Sequence, residues 1–156
     1  MNRPHYILLP VSPVFIAFSM FCAFLLNLLP WGNFIGESLA NYVGNAGSYS
    51  YDMGPNGYNS NFTSGGMPFT SPVGYFAPNG YGLYDMAGNV FEWCWDWYAS
   101  PYAGGTDPHG PDSGTSRIIR GGAWSTHADA TRSAVRVING PSGAFDGIGF
   151  RCVRGF

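Results

Sequence analysis

From residue 30 onward a glycine or a proline interrupts the chain every few positions, which leaves little room for long helices. Such a chain is confined to short strands joined by turns. The rest of its composition narrows the outcome further. Charged residues make up 10% of the sequence, against roughly 25% in ordinary soluble domains. Aromatic residues reach 17%, with 23 glycines among 156 positions. With so few charges and so many rings the chain is not a disordered polyelectrolyte, and it must bury its aromatics or stack them under loops. A Gly- and Trp-rich, irregular fold is the expectation.

The charge pattern excludes one class of partner. All seven basic residues are arginines, the net charge is −2, and no basic stripe suits a nucleic-acid backbone. Arg117, Arg120, Arg132, Arg136, Arg151 and Arg154 crowd the C-terminal part. Their spacing among acids and aromatics points to planar ion pairs and ring stacks inside a loop-rich fold rather than to an anion site. The three cysteines, Cys22, Cys94 and Cys152, show no CxxC and no zinc-ligand spacing. An oxidising compartment would permit a Cys94–Cys152 disulfide and a reducing one would not, so the sequence leaves both states open.

The chain divides near residue 30. Residues 7–29 (ILLPVSPVFIAFSMFCAFLLNLL) carry no charge and are long enough for a bilayer, which takes about 20 apolar residues. They read as a signal-anchor, as a cleavable signal, or as a non-native start. A genuine signal would make the protein membrane-associated or would send it to a secreted or periplasmic location. After residue 30, residues 44–66 have no apolar period and read as a long ordered loop. Strands are expected at 73–76, 90–98, 117–120, 134–138 and 149–153, with a short helix at 83–87 ended by Gly88. In the second of these strands Phe91, Trp93, Trp95 and Trp97 alternate with Glu92, Cys94 and Asp96, so the ring-bearing face should be buried.

Several segments then fall into one pattern: NGYGLYDMAGNVFEWCWDWY at 79–98, RGGAW at 120–124, RSAVR at 132–136 and GFR at 149–151, with PWGNFIGESLANY at 30–42 ahead of them. In this order they resemble the C-terminal part of the formylglycine-generating enzyme, or sulfatase-modifying factor, family. The resemblance implies an α+β, C-type-lectin-like fold of irregular, Gly/Trp-rich character. It also implies that the domain's N-terminal half is missing here, with 1–29 as an apolar segment and 30–156 as the C-terminal part of the domain.

The resemblance carries two expectations about metals. It implies a structural calcium ion held by the side chains of Asp85 and Glu92 and the carbonyls of Gly88 and Val90. Read by themselves, two carboxylates and two carbonyls on one turn-to-strand segment are hard oxygen ligands suited to begin a calcium shell. The competing arrangement has Asp85 capping a turn and Glu92 paired with an arginine. The family's oxidase activity rests on copper held by two thiolates, soft ligands that suit Cu(I). Counted from RGGAW, that pair falls on Thr126 and Thr131. Copper is therefore not expected, and no catalytic residue is assigned. Ser125, His127 and Asp129, being neighbours in sequence, cannot converge as a catalytic triad.

The functional expectation is a family member without oxidase activity that acts as a binding or interaction module for an unidentified protein or small-molecule ligand. Its loops at 100–116 and 124–145 would present the recognition surface. The alternatives are a formylglycine-generating oxidase acting in sulfatase maturation, the partner half of an iron-dependent sulfoxide synthase, and a lectin-like variable ligand-binding protein.

Overall fold

The computed structural model describes residues 28–102 and 110–152. A hydrogen-bonded turn over Leu29 and Gly32 opens this part of the chain. Two short ladders follow, in which β1 (Val43–Gly44) pairs antiparallel with β2 (Gly57–Tyr58), and β3 (Thr63–Ser64) with β4 (Met67–Pro68). The β3–β4 turn consists of Gly65 and Gly66, with φ of 60° and 79°. Two successive positive φ values define the tight hairpin turn whose twist matches its strands, and glycine adopts them without steric cost.

The principal sheet has four strands: β5 (Phe91–Trp97), β6 (Arg117–Arg120), β7 (Val137–Asn139) and β8 (Ile148–Gly149), in the order β7-β6-β5-β8. β5, β6 and β7 are antiparallel neighbours, while β8 runs parallel to β5. Phe91, Ile119 and Ala123 form one buried cluster at this sheet, with Trp93, Ala130, Val137 and Ile148 packed against it. A second cluster gathers Leu29, Ile35, Ala40, Tyr42, Ala87 and Ala128. The two halves of the fold are tied where the Val43 amide donates to the Thr126 carbonyl.

β6 occupies the residues expected, and β5 lies within its expected span. The other expectations are corrected. Residues 73–76 form a turn rather than a strand, and Phe76 is buried in an aromatic cluster with Phe62 and Tyr75. Residues 83–87 are not helical, because Asp85 has a φ of 52° that breaks any helical run. β7 begins three residues later than read, and β8 is the pair Ile148–Gly149. Within 44–66 the expected loop carries β2, β3 and a 3-10 turn at Ser60–Phe62. Among the described residues the only helical turns are 3-10 (Ser60–Phe62 and Ala128–Thr131), so the helical share of an α+β fold is not seen there.

The ring-bearing face of β5 is also not uniformly buried. Trp93 pairs with Ile119 and Trp97 with Arg117, so three residues of β5 stand opposite Ile118 alone. This bulge breaks the two-residue alternation and leaves Trp95 85% exposed. Arg117 stacks over both Trp95 and Trp97, at 4.6 and 4.0 Å from the ring centroids, and its Nη1 donates to the Trp95 carbonyl. Arg136 lies likewise over Tyr98 and Tyr102. Arg117 and Arg136 are thus engaged in ring stacks, as the spacing implied.

No helix among the described residues is long and apolar enough to cross a membrane. The apolar stretch at 7–29 falls, except for its last two residues, outside the described part.

Candidate functional site

Of the four residues expected to bind calcium, Asp85, Gly88 and Val90 lie on the turn that feeds β5, and Glu92 lies in β5 itself. Asp85, Gly88 and Asn89 all adopt positive φ, at 52°, 71° and 65°. This winds the chain tightly before it straightens at Phe91. Gly88 is required there, because a Cβ would collide with the Asn41 carbonyl. Asn89 locks the turn by accepting from the Ser71 amide at 2.8 Å, while its own amide donates to the Asn41 carbonyl at 2.7 Å. The segment is therefore held from outside by 41 and 71 rather than by its own propensity.

Asp85 is buried, with Oδ2 accepting from the Gly74 amide at 2.6 Å and Oδ1 without any partner. Burial pushes its carboxyl above the usual range, and the Gly74 amide and the Arg151 charge only partly oppose this. Glu92 is held by Arg151 in a two-pronged pair, Nε to Oε2 at 2.8 Å and Nη2 to Oε1 at 2.6 Å. The same guanidinium donates to the carbonyls of Tyr84 and Asp85 at 3.1 Å. Glu92 is thus paired with an arginine, and Arg151 of the GFR segment is the partner that motif reading left unassigned.

Both features bear on whether a cation fits. Among the described residues no three His, Cys, Asp or Glu side chains gather as a metal cluster, so the site depends on backbone carbonyls. The orphaned Asp85 Oδ1 is what a missing hard cation would leave behind, since a buried carboxylate oxygen otherwise finds a donor. Arg151 uses one lone pair on each Glu92 oxygen, and a carboxylate offers about four such positions. Asp85 and Glu92 thus keep hard oxygen atoms of the kind calcium takes, with Arg151 in place.

A second arrangement lies beyond β6, where Gly121 and Gly122 adopt φ of 92° and 77°. A Cβ on Gly122 would stand 2.8 Å from Thr131 Cγ2 and 3.2 Å from Thr126 Oγ1. The fold thus brings Thr126 and Thr131 together over a bare α-carbon. The Thr126 hydroxyl accepts from the Ala123 amide at 2.9 Å and donates to the Ala123 carbonyl at 3.1 Å. The buried Thr131 hydroxyl donates to the Ala128 carbonyl at 2.7 Å. Both hydroxyls serve the backbone, closing the turn at 123–126 and the 3-10 turn at Ala128–Thr131. His127 Nδ1 lies 3.2 Å from the Val43 carbonyl, a structural hydrogen bond. Cys94 and Cys152 are both free, and burial pushes the Cys94 thiol above its ordinary value.

Against known proteins, the model of the sulfatase-modifying factor enzyme 1-like domain matches residues 27–156. The chain belongs to this family. The formylglycine-generating enzyme of Thermomonospora curvata is 38% identical over 136 residues, spanning 79% of this chain and 41% of the relative. A protein of Mus musculus named inactive C-alpha-formylglycine-generating enzyme 2 is 43% identical over 88 residues, spanning 53% of this chain and 25% of that one. The solved structure of Treponema denticola variable protein 1 superposes with a TM-score of 0.54 at 37% identity, covering 73% of this chain and 35% of that chain. The chain thus spans about two fifths or less of the length of these relatives. Family membership gives this chain the formylglycine-generating-enzyme fold.

Proposed function

We propose that this chain is a sulfatase-modifying-factor-type domain without oxidase activity, which serves as a binding module. The observation that carries the reading is the convergence of Thr126 and Thr131 over Gly122 with both hydroxyls tied to the backbone. A hydroxyl is a hard, neutral ligand and cannot take the place of a thiolate on Cu(I). The likeness to a relative named inactive supports the same reading. Loops on a rigid scaffold commonly carry recognition, which supports a binding role for those at 100–116 and 124–145. The test is copper-dependent oxidation of a peptide carrying the CxPxR motif. No turnover is expected, and turnover above the copper-only background overturns the proposal.

Calcium is the second part of the proposal, with Asp85 and Glu92 as side-chain ligands and Gly88 and Val90 supplying carbonyls. It is supported by the unpartnered, buried Oδ1 of Asp85. When bound, the ion would neutralise Asp85 and stiffen the turn that starts β5. Its role is structural.

A further inference from the structure

A cluster of acids away from both sites ties down the long loop between β1 and β2. Asp52 is 3% exposed, and its carboxylate accepts from the Tyr42 hydroxyl, from the Gly54 amide at 3.0 Å and from the Asn45 amide at 2.6 Å. Those three donors pin residues 45–54 to the buried Tyr42 ring. Glu37 enters the same place from the other side. A Cβ at Gly54 would stand 2.7 Å from Tyr42 Oη, 3.3 Å from Asp52 Oδ1 and 3.4 Å from Glu37 Cγ. Glu37 Oε1 is buried there without a hydrogen-bond partner.

The charge balance of this cluster is uneven. The groups facing Glu37 are Asp52 from the loop, the Tyr42 hydroxyl from the segment before β1, and the Ser60 amide from the 3-10 turn, which donates to it. Tyr51 also senses Asp52, together with Arg132 and Asp129. Among the described residues the one ion pair is Arg151–Glu92, so no cation is paired with either acid. A partly buried carboxyl beside a second acid does not ionise without cost.

We propose that Glu37, Asp52 and Tyr42 form a pH-sensitive latch on residues 45–54, closed while Glu37 is protonated and loosened when it ionises. Asp52 is satisfied by three donors, whereas Glu37 Oε1 has none. Burial and then the Asp52 charge push Glu37 above its ordinary 4.5, against the Ser60 amide. The sign follows from linkage: for an acid whose folded midpoint is raised, the stabilisation is fully present below the ordinary value. It is lost as pH rises through the folded midpoint. The loop is held more tightly in acid and relaxes above the Glu37 midpoint.

The test is amide hydrogen exchange by NMR on the full chain, corrected for intrinsic rates, with Ile119 in β6 as the control. Protection at Asn45 and Gly54 should fall about tenfold for each pH unit between the ordinary and the folded Glu37 midpoint, then level off, while Ile119 stays flat. Glu37→Gln should keep the acid-level protection at every pH. A flat profile in the native chain, or an unchanged fall in Glu37→Gln, overturns the latch. If Glu37→Gln does not fold, carboxyl titration of Glu37 in the native chain decides. A midpoint above the ordinary value that drops in Asp52→Asn supports the latch, and one at or below the ordinary value overturns it.

Discussion

Thr126 and Thr131 approach the same face of Gly122, with the Thr126 hydroxyl and the Thr131 methyl closing over an α-carbon that has no room for a Cβ. That relationship brings together two positions five residues apart, each with its hydroxyl bonded to the backbone.

The pairing should be convertible. Replacing both threonines in Thr126→Cys/Thr131→Cys places two thiolates on adjacent turns, and soft ligands in that arrangement suit Cu(I). The double variant should take Cu(I) from a chromogenic chelator in a one-to-one titration, and the native chain should take none. Equal titration curves would remove the basis for reading this as the family's metal position.

Gly122→Ala should destabilise the domain by about 1–3 kcal/mol, because a positive φ must be kept by a residue that disfavours it and the new methyl meets Thr131. Thr131→Val should cost about 1 kcal/mol, since the Ala128 carbonyl loses its donor within a buried turn. The shift of urea midpoints at constant slope measures both.

Calcium should raise the melting temperature at neutral pH, and Glu92→Ala should abolish the gain. Without the ion, the raised Asp85 midpoint means that ionising this buried carboxyl costs stability as pH rises through that midpoint. Calcium offsets that cost, so its benefit should fade as the pH falls and protons compete for Asp85. Scanning fluorimetry across pH, with magnesium as the control ion, reads the effect. Identical melting with and without Ca²⁺ in both proteins would eliminate the site.

Arg151→Gln should cost about 1–3 kcal/mol, because Glu92 is left partly buried without its partner and the Tyr84 and Asp85 carbonyls lose donors. The loss should resist added salt, in contrast to a surface pair.

Trp95 and Ile119 lie on neighbouring strands and should respond to very different degrees. Ile119→Ala opens a cavity in the sheet cluster and should cost about 2–5 kcal/mol. Trp95→Ala removes an exposed ring and one stack on Arg117, and should cost less than about 1 kcal/mol. Denaturant unfolding of the two variants separates them, and a large loss in Trp95→Ala would place that ring in the core.

Much of the sheet was legible before any coordinates. The β6 span is right to the residue because Gly121 and Gly122 mark its end. β5 is recognisable from ring alternation over 90–98. What alternation could not reveal was the bulge, because three residues opposite one is a property of the pairing between β5 and β6 and leaves no local trace. The same limit hid the Asp85 backbone: a short segment ending in glycine reads as a capped helix, yet hydrogen bonds from Gly74, and from 41 and 71 to Asn89, wind it the other way. Arginine as the partner of Glu92 was foreseen as a type, but Arg151 lies 59 positions away. The Glu37–Asp52–Tyr42 cluster left no signal, because two of its ordinary residues precede β1 and the third lies in the loop after it.

By itself, the sequence determined the family, the Gly- and Pro-limited short strands, and the threonines at the expected copper position. Those are statements about residue type and order along the chain. The tertiary structure alone decided that Trp95 faces water, that Asp85 Oδ1 has no donor, that Arg151 closes on Glu92, and that Thr126 meets Thr131 over Gly122. The first three depend on contacts between segments far apart in sequence, set by packing and long-range hydrogen bonds, and the last on how the turns after β6 fold back on Gly122.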